Sequence, residues 1–566
     1  MEQTYNELLR TITNDYLTND IDYDAIPAPH IVEEKLLSKT NDAIALYNLG
    51  PRDPNADPDA PQSVAYPSPR KGHDRYPKLR TLAPAQIASI IANLHEGCRI
   101  PTAGENTHKD YDVIAIYQKE GFDKGIYVTG EDDIRNIARS YNYTLSANDF
   151  NEILIALRDM VPRKLLCEDK DLIAVNNGIF DYKQKVLLPF SPDFVFTVKS
   201  KVNYVDMPEN PIITMPDGEP WDVESWLNEL SDDPEIVALL WEILSAIIRP
   251  HVNWNKSAWL YSTQGNNGKG TLCELMRNLC GSGSYASIPL ESFGKEFLLE
   301  PLIRANAIIV DENDVGTYID HAANLKAVIT NDVISINRKH KTPIACKFHG
   351  FMVQCMNEFP RVKDRSGSFY RRQLFIPMDK SFEGVERTYI KNDYLARQEV
   401  LEYVLWKVLY DSNFYKLSEP AACTAVLEAY KEYNDPVRQF FMEIEESATW
   451  TLLPWGFLYD LYLRWFKKNV PSGKALGKSV FLMEMKQLAD KSDTFMYTDA
   501  AVRSANRMEG PEMLIIEYNV EEWQNTTYKG PDLKKRATPE LKENYRGLQR
   551  IGSGDDPNEK EEQTDD

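Results

Sequence analysis

The stretch SAWLYSTQGNNGKGTLCELMRNLC, residues 257–280, restricts the fold of this 566-residue chain more than any other. SAWLYST is strand-length and apolar almost throughout, QGNNGKG is a turn, and TLCELMRNLC carries helical spacing. A strand joined by a Gly-rich turn to a helix start gathers backbone N–H groups and a helix amino terminus around a phosphate, and Lys269 reaches the outer phosphates. The candidate contacts are Gly265, Asn266, Asn267, Gly268, Lys269, Gly270 and Thr271. The hydroxyl residue that commonly follows the lysine stands one place later, after Gly270. That glycine leaves the first helical turn free to adjust, so Thr271 can still present its hydroxyl to a magnesium shell. A Gly/Asn-rich turn with one lysine is otherwise a plain loop, and the strand and helix on either side favour the nucleotide reading.

The next motifs follow in an order that supports it. NAIIVDEND is expected to carry Asp311 and Glu312 at the end of a buried strand, Asp311 for the metal and Glu312 for the water that attacks the terminal phosphate. A solvated strand edge is the ordinary alternative. GFMVQCMN ends a third strand in Asn357, whose amide can orient water or sense the terminal phosphate. In KDRSGSFYRRQLFIPM, Arg371 and Arg372 precede an apolar strand. Either can stabilise charge on a transferring phosphoryl group, including from a neighbouring subunit, although a salt-bridged pair is equally ordinary. VISINRKHKTPIACKFHG alternates as a hairpin with Arg338, Lys339, His340 and Lys341 at its tip. Such tips are usually just solvated, but in an acidic protein this one offers a local site for a phosphate backbone. Apolar strands alternating with helices from 256 to about 380 argue for an α/β domain with a parallel sheet.

The chain is too long for one core, and its length suggests three or four domains. Sixty-four basic against 86 acidic side chains give a net charge of −22, which excludes a surface coated in basic patches. Any nucleic acid must be held in a channel or a dedicated module. The absence of a long apolar run or a basic, apolar leader predicts a cytoplasmic protein with no membrane partner. Seven cysteines without C-x-x-C spacing argue against structural zinc and a disulfide framework. The proline-rich stretch 51–77 reads as an exposed connector. In SDDPEIVALLWEILSAIIRP a helix starts at Pro234 and stops at Pro250. DYD at 22–24 and at 110–112 are the only approximations to a two-metal carboxylate cluster, and neither ends an apolar strand, so primase chemistry is not expected. Residues 113–133 read as a small hairpin with accessory duties. Leu458, Leu461, Tyr462 and Trp465 share one helical face and read as core rather than as a base-stacking platform.

Taken in order, STQGNNGKGT, AIIVDEND, the RKHK hairpin, FMVQCMN and YRR resemble the nucleotide loop, acidic strand, pre-sensor DNA hairpin, sensor asparagine and arginine finger of the superfamily 3 helicases. NEFPRVKD followed by RR is similar to the phage, plasmid and mobile-element branch related to the helicase half of the poxvirus primase-helicase. LIAVNNGIFDYKQKVLLPFSPDFVFTVKSKVNY, 172–204, resembles the segment before their ATPase domain. The resemblance covers about 150–380 well, 430–525 more loosely and 1–150 weakly.

It implies an AAA+-like P-loop ATPase domain, a parallel sheet with helices on both faces, preceded by a helical collar and followed by a winged-helix-like domain. The corresponding divisions are 1–150, an accessory domain; 151–250, a pre-ATPase segment and oligomerisation collar; 251–385, the ATPase core; 386–430, a helical connector; 431–527, the winged-helix-like domain; and 528–566, a disordered acidic tail. The implied activity is that of a ring, usually hexameric, which hydrolyses ATP with Mg2+ at subunit interfaces. Such a ring draws single-stranded DNA through its centre, 3′ to 5′, and unwinds forked duplex during phage, plasmid or mobile-element replication in a bacterial host. Primase, polymerase or initiator proteins are the implied further partners.

Carried over by motif, Lys269 and Thr271 bind phosphates and magnesium, Asp311 the metal and Glu312 the water. Asn357 is the sensor, Arg372 the finger with Arg371 in reserve, and Lys339 with His340 the DNA-gripping tip. Two other readings stay open: an origin-binding initiator in which ATP is an assembly switch, and a P-loop nucleotide kinase suggested by GKGT alone.

Overall fold

The computed structural model describes residues 4–49, 55, 57, 59, 75–339, 341–470, 475–497 and 499–552. Most of the proline-rich stretch 51–77, His340 at the hairpin tip and residues 553–566 lie outside the described residues. The chain divides into two compact units, Met1–Thr424 and Ala425–Asp566.

The first unit opens with α1 (Tyr5–Asn19), started by a capping box in which Thr4 and Glu7 satisfy each other's backbone N–H. It continues through α2 (Pro29–Leu49), α3 (Pro84–Leu94), β1 (Gly97–Ile100), β2 (Val113–Tyr117), β3 (Tyr127–Val128), α4 (Glu131–Tyr141) and α5 (Ala147–Met160). The strands form an antiparallel sheet in the order β1-β2-β3. The hairpin expected over 113–133 is β2 with β3, while Glu131, Asp132 and Asp133 begin α4, where negative charge suits a helix amino terminus. Asp112 of the second DYD is buried and receives Arg163 Nε at 2.8 Å and Nη2 at 3.0 Å. That pairing fits a structural tie. A meander of β4 (Leu172–Val175), β5 (Gly178–Asp181) and β6 (Val186–Leu188) comes next. Then come α6 (Val223–Glu229), capped by Asp222, and α7 (Pro234–Ile248), capped by Asp233 with proline in its first turn, as its sequence predicts.

The centre of this unit is built from β7 (Ser257–Tyr261), α8 (Lys269–Cys280), β8 (Tyr285–Ala286), β9 (Ala307–Val310), α9 (Ala322–Ile329), the hairpin β10 (Val333–Arg338) and β11 (Lys341–Lys347), β12 (Phe351–Met356) and β13 (Gln373–Pro377). Five strands form a parallel sheet in the order β8-β9-β12-β7-β13. β7, β9, β12 and β13 are buried along nearly their whole length, which explains apolar runs without alternation. β7 lies between β12 and β13, and the pairing of Met356 with Tyr261 sets the residues after β7 and β12 on one rim. α10 (Thr388–Asn392) and α11 (Gln398–Leu409) complete the unit. One core runs from Ile173 to Cys423, and α7, the helix expected in a collar, contributes Leu240, Ile243, Leu244 and Ile247 to it.

α12 (Ala421–Tyr433) spans the junction between the units. The second unit then has α13 (Pro436–Ser447), β14 (Leu452–Pro454), α14 (Trp455–Asn469), α15 (Lys478–Ala489), β15 (Phe495–Tyr497) and β16 (Gly547–Arg550). Leu458, Leu461, Tyr462 and Trp465 are buried in its core, as their spacing predicts. The expectation that everything after 527 is disordered is overturned as far as residue 552. β16 is the middle strand of an antiparallel sheet, between β14 and β15, with Leu548 fully buried. A four-residue strand with one fully buried side chain leaves no periodicity for the sequence to display.

Candidate nucleotide-binding site

β7 delivers the chain into the turn Ser262–Gly268. Asn266 (φ 52°) and Gly268 (φ 83°) take left-handed backbone, the conformation that Gly and Asn adopt at least cost. A Cβ on Gly268 would also stand 2.7 Å from Leu230 Cδ2. The turn braces itself, since Asn267 Nδ2 donates to Gln264 O at 2.7 Å and Gln264 N donates to Ser262 Oγ at 3.3 Å. α8 starts at Lys269 without a side-chain cap, so its first amide groups and the positive end of its dipole are the site's main anion-binding resource. Thr271 falls in the first turn of α8.

Lys269 is buried, and its Nζ donates to Asn357 Oδ1 at 2.9 Å, so the structure joins two predicted residues 88 positions apart. Burial lowers the Lys269 pKa, with the Cys355 and Cys273 thiols acting in the opposite sense. Asp311, at the end of β9, pairs with Arg277 Nη2 at 2.9 Å. Burial raises the Asp311 pKa, but the hydrogen bond and charge of Arg277 outweigh it and hold the carboxyl below its usual range. Glu312 is exposed beside it.

Two residues at this rim escaped the sequence reading. Arg277, two turns along α8 from Lys269, is Asp311's counterion. Asn313 is buried and donates to Gln354 Oε1 at 2.9 Å and Cys355 O at 3.0 Å, while it accepts Leu290 N at 2.9 Å. It thereby fixes the end of β9 against β12, and with it the spacing between Asp311 and Asn357. A cavity of about 240 Å3 adjoins the turn, with an apolar wall of Trp226, Leu230, Phe382, Val385 and Ile390 and a polar side that includes Thr271, Glu386, Arg387 and Lys391. Residues 382–386 are tied to the turn, as Phe382 N donates to Asn266 O at 2.7 Å and Asn266 Nδ2 to Glu386 Oε1 at 3.0 Å. In the sequence, SFEGVE gives only two apolar residues as a hint of this wall.

Arg371 and Arg372 lie elsewhere. Arg372 O accepts Ser257 N at 2.8 Å, which puts the pair at the amino-terminal rim of the sheet, whereas Lys269 is at the opposite rim. At about 3.3 Å per residue, the five residues of β7 hold the rims roughly 17 Å apart. Arg372 Nη1 donates to Ser368 O, and its Nε is buried without a hydrogen-bond partner among the described residues. Both arginines line a cavity of about 450 Å3 with Lys256 and Lys416, and Glu419 pairs there with Lys256 at 2.6 Å.

The predicted hairpin is formed by β10 and β11, antiparallel, with Lys339 exposed and Arg338 half-buried at its tip. His340 lies outside the described residues, and Lys341 is described by its backbone in β11. Among the described residues no group of three or more His, Cys, Asp or Glu could hold a metal. Among the described residues no helix is long and apolar enough to cross a membrane.

Residues 100–232 match the family described as D5 N terminal like, 260–372 a family of unknown function (DUF5906), and 432–525 the family described as Poxvirus D5 protein-like. A curated protein of Acanthamoeba polyphaga mimivirus, "Putative helicase L207/L206", is 22% identical over 464 residues, covering 78% of this chain and 41% of its own length. The chain therefore spans less than half of that relative. Two solved structures of the apo C terminal region of NrS-1 also align. One is 14% identical with a TM-score of 0.40 over 75% of this chain and 97% of that one. The other, an A form, is 16% identical with a TM-score of 0.39 over 72% and 86%. The D5-type matches on both sides of the glycine-rich turn, together with the mimivirus protein, support a relationship to the D5-like superfamily 3 helicases.

Proposed function

We propose that the chain is an ATP-dependent replicative DNA helicase whose subunits form a ring, share nucleotide sites at their interfaces and move single-stranded DNA with the β10–β11 hairpins. The observation that carries this reading is the placement of two functional rims on one sheet. Lys269, Asn357 and Asp311 meet at the carboxyl ends of the strands, where ligands bind in open α/β sheets, while Arg371 and Arg372 stand at the other end. A nucleotide on the first rim would be out of reach of its own Arg371 and Arg372, and a neighbour's pair would have to supply them.

The turn amides and the α8 amino terminus would bind the phosphates, and the Lys269 ammonium would counter the charge that develops on the terminal one. Thr271 and Asp311 would hold Mg2+, which supplies further neutralisation of phosphate charge. Glu312, exposed at the same rim, is suited to orient the attacking water and take its proton. Asn357 touches Lys269 and begins the path back along β12 toward the hairpin. The cavity walled by Trp226, Leu230 and Phe382 suits a purine base. In a ring, the 450 Å3 cavity with its arginines and lysines would face a neighbour's terminal phosphate.

Arg338, Lys339, His340 and Lys341 would grip the DNA backbone in the bore, which reconciles DNA binding with a net charge of −22. In the second unit the run α13, β14, α14, α15, β15 and the sheet order β14-β16-β15 support a winged-helix-like reading, with several short helices and strands between β15 and β16. Movement 3′ to 5′ and work in phage, plasmid or mobile-element replication complete the proposal. Lys269→Ala tests its chemical core. ATP turnover should fall by about two orders of magnitude or more with the fold intact, and turnover at the wild-type rate would refute the nucleotide reading.

A further inference from the structure

The hairpin and the sensor strand are one continuous piece of chain. β11 ends at Lys347, β12 begins at Phe351 and runs to Met356, and only Phe348, His349 and Gly350 separate them. These three residues are the direct covalent link from Asn357's strand to the hairpin, and they are clasped from two sides.

On the inner side, the buried Asn331 donates to Phe348 O at 2.8 Å and Gly350 O at 3.3 Å. Gly350 itself is pressed against the neighbouring chain, since a Cβ there would come 2.1 Å from Asn306 O. The outer clasp comes from the amino-terminal region. Just past β1, Thr102 O accepts Lys347 N at 3.1 Å and Thr102 Oγ1 donates to Ala345 O at 2.5 Å, so the chain leaving β1 lies along the free edge of β11. Glu168 adds a fork: one carboxylate oxygen receives Lys347 Nζ at 2.9 Å and the other faces His349 Nε2 at 3.2 Å.

Neither clasp is a loose loop. Residue 163 bridges Arg99 of β1, with Arg99 N donating to Pro162 O at 2.9 Å and Lys164 N to Arg99 O at 2.9 Å. Arg163 holds the loop after Thr102 through Glu105 O at 2.9 Å and Thr107 O at 2.7 Å. The segments that carry the two clasping residues are therefore joined to β1, and among the described residues their hydrogen bonds and ion pairs to the hairpin fall at its base.

We propose that Thr102 and Glu168 are positioning residues that fix the fulcrum of the hairpin, so that the amino-terminal region sets how movement of the Asn357 strand reaches the DNA-gripping tip. This rests on the reading of that tip as a DNA contact. With the base held, a shift at the nucleotide rim turns the seven-residue arm of β11 about a fixed point. With the base released, the same shift is absorbed between residues 345 and 350 and the tip stays where it was. Among the described residues no hydrogen bond or ion pair joins Thr102 or Glu168 to Lys269, Asp311 or Asn357, so loss of the clasp uncouples the two ends without disabling hydrolysis.

The experiment compares the full chain with Glu168→Gln, Glu168→Ala and the double variant Thr102→Val/Glu168→Ala. It reads amide exchange over residues 343–349 without DNA, and ATP turnover with and without single-stranded oligo-dT. In the double variant exchange over 343–349 should quicken about tenfold while the core strands keep their protection. Basal turnover should stay within about twofold of wild type, the DNA-stimulated increment should fall about fivefold, and Glu168→Gln should retain more of it than Glu168→Ala. Unchanged exchange with an unchanged stimulation ratio in the double variant overturns the proposal. An equal fall in basal and stimulated turnover also overturns it, because the clasp would then be only structural. A wild-type chain whose turnover ignores oligo-dT would sink the helicase reading instead, and the exchange data, read without DNA, would still decide whether Thr102 and Glu168 hold the base.

Discussion

Asn357 reaches back across 88 positions to accept a hydrogen bond from Lys269, and that contact ties the end of β12 to the start of α8. Asn357→Ala leaves the Lys269 ammonium in a buried site without its acceptor and, on the proposed reading, would remove the contact with the terminal phosphate. Steady-state ATP turnover should fall by about two orders of magnitude with little change in melting temperature. A second residue-scale prediction concerns His251, whose pKa burial and the adjacent His349 push down to about 3. The unfolded chain takes up that proton near the ordinary value of about 6.5 and the folded chain does not, so stability drops as pH falls from about 6.5 toward about 3. His251→Gln should flatten the melting temperature between about pH 7 and pH 5, and parallel curves for both proteins would contradict the shift. Lys269, Asp311 and Asn357 were legible because turns and strand ends carry their own sequence signals. Arg277 and Asn313 were not, since a lone arginine on a helix and a lone asparagine in a loop look solvated until the fold gives them Asp311 and Gln354 as partners.

At the scale of elements, the strand-turn-helix around residue 265 and the alternating hairpin could be read directly, because each repeats a simple period over several residues. The wall of the 240 Å3 cavity could not, because SFEGVE acquires its role from tertiary contact with Asn266. The same holds for β16, whose place between β14 and β15 depends on pairing across nearly a hundred residues to β14. For the hairpin, Lys339→Ala with His340→Ala should leave basal ATP turnover within about twofold while strand separation and affinity for single-stranded DNA fall by about tenfold or more. Strand displacement of a forked duplex and anisotropy titration at fixed salt measure the two. Undiminished unwinding would remove the hairpin from the motor.

At the scale of the whole molecule, the two rims of the parallel sheet set the logic. Lys269 and Arg372 belong to one chain yet stand at opposite ends of β7, so on the proposed reading a complete site would need two chains meeting head to tail, as in a closed ring. Fold class was legible from the buried strands, while the reach of one core from Ile173 to Cys423 was not, because helices far apart in sequence reveal a shared interior only when packed. Sharing of the site is the central claim, and a mixture of Lys269→Ala subunits with Arg371→Ala/Arg372→Ala subunits on forked DNA tests it most directly. Each variant alone should be inactive, and an equal mixture should recover up to about a quarter of wild-type ATP turnover, the share of head-to-tail interfaces that random assembly leaves complete. A mixture that stays as inactive as its components, while the two variants still assemble together, would contradict the account.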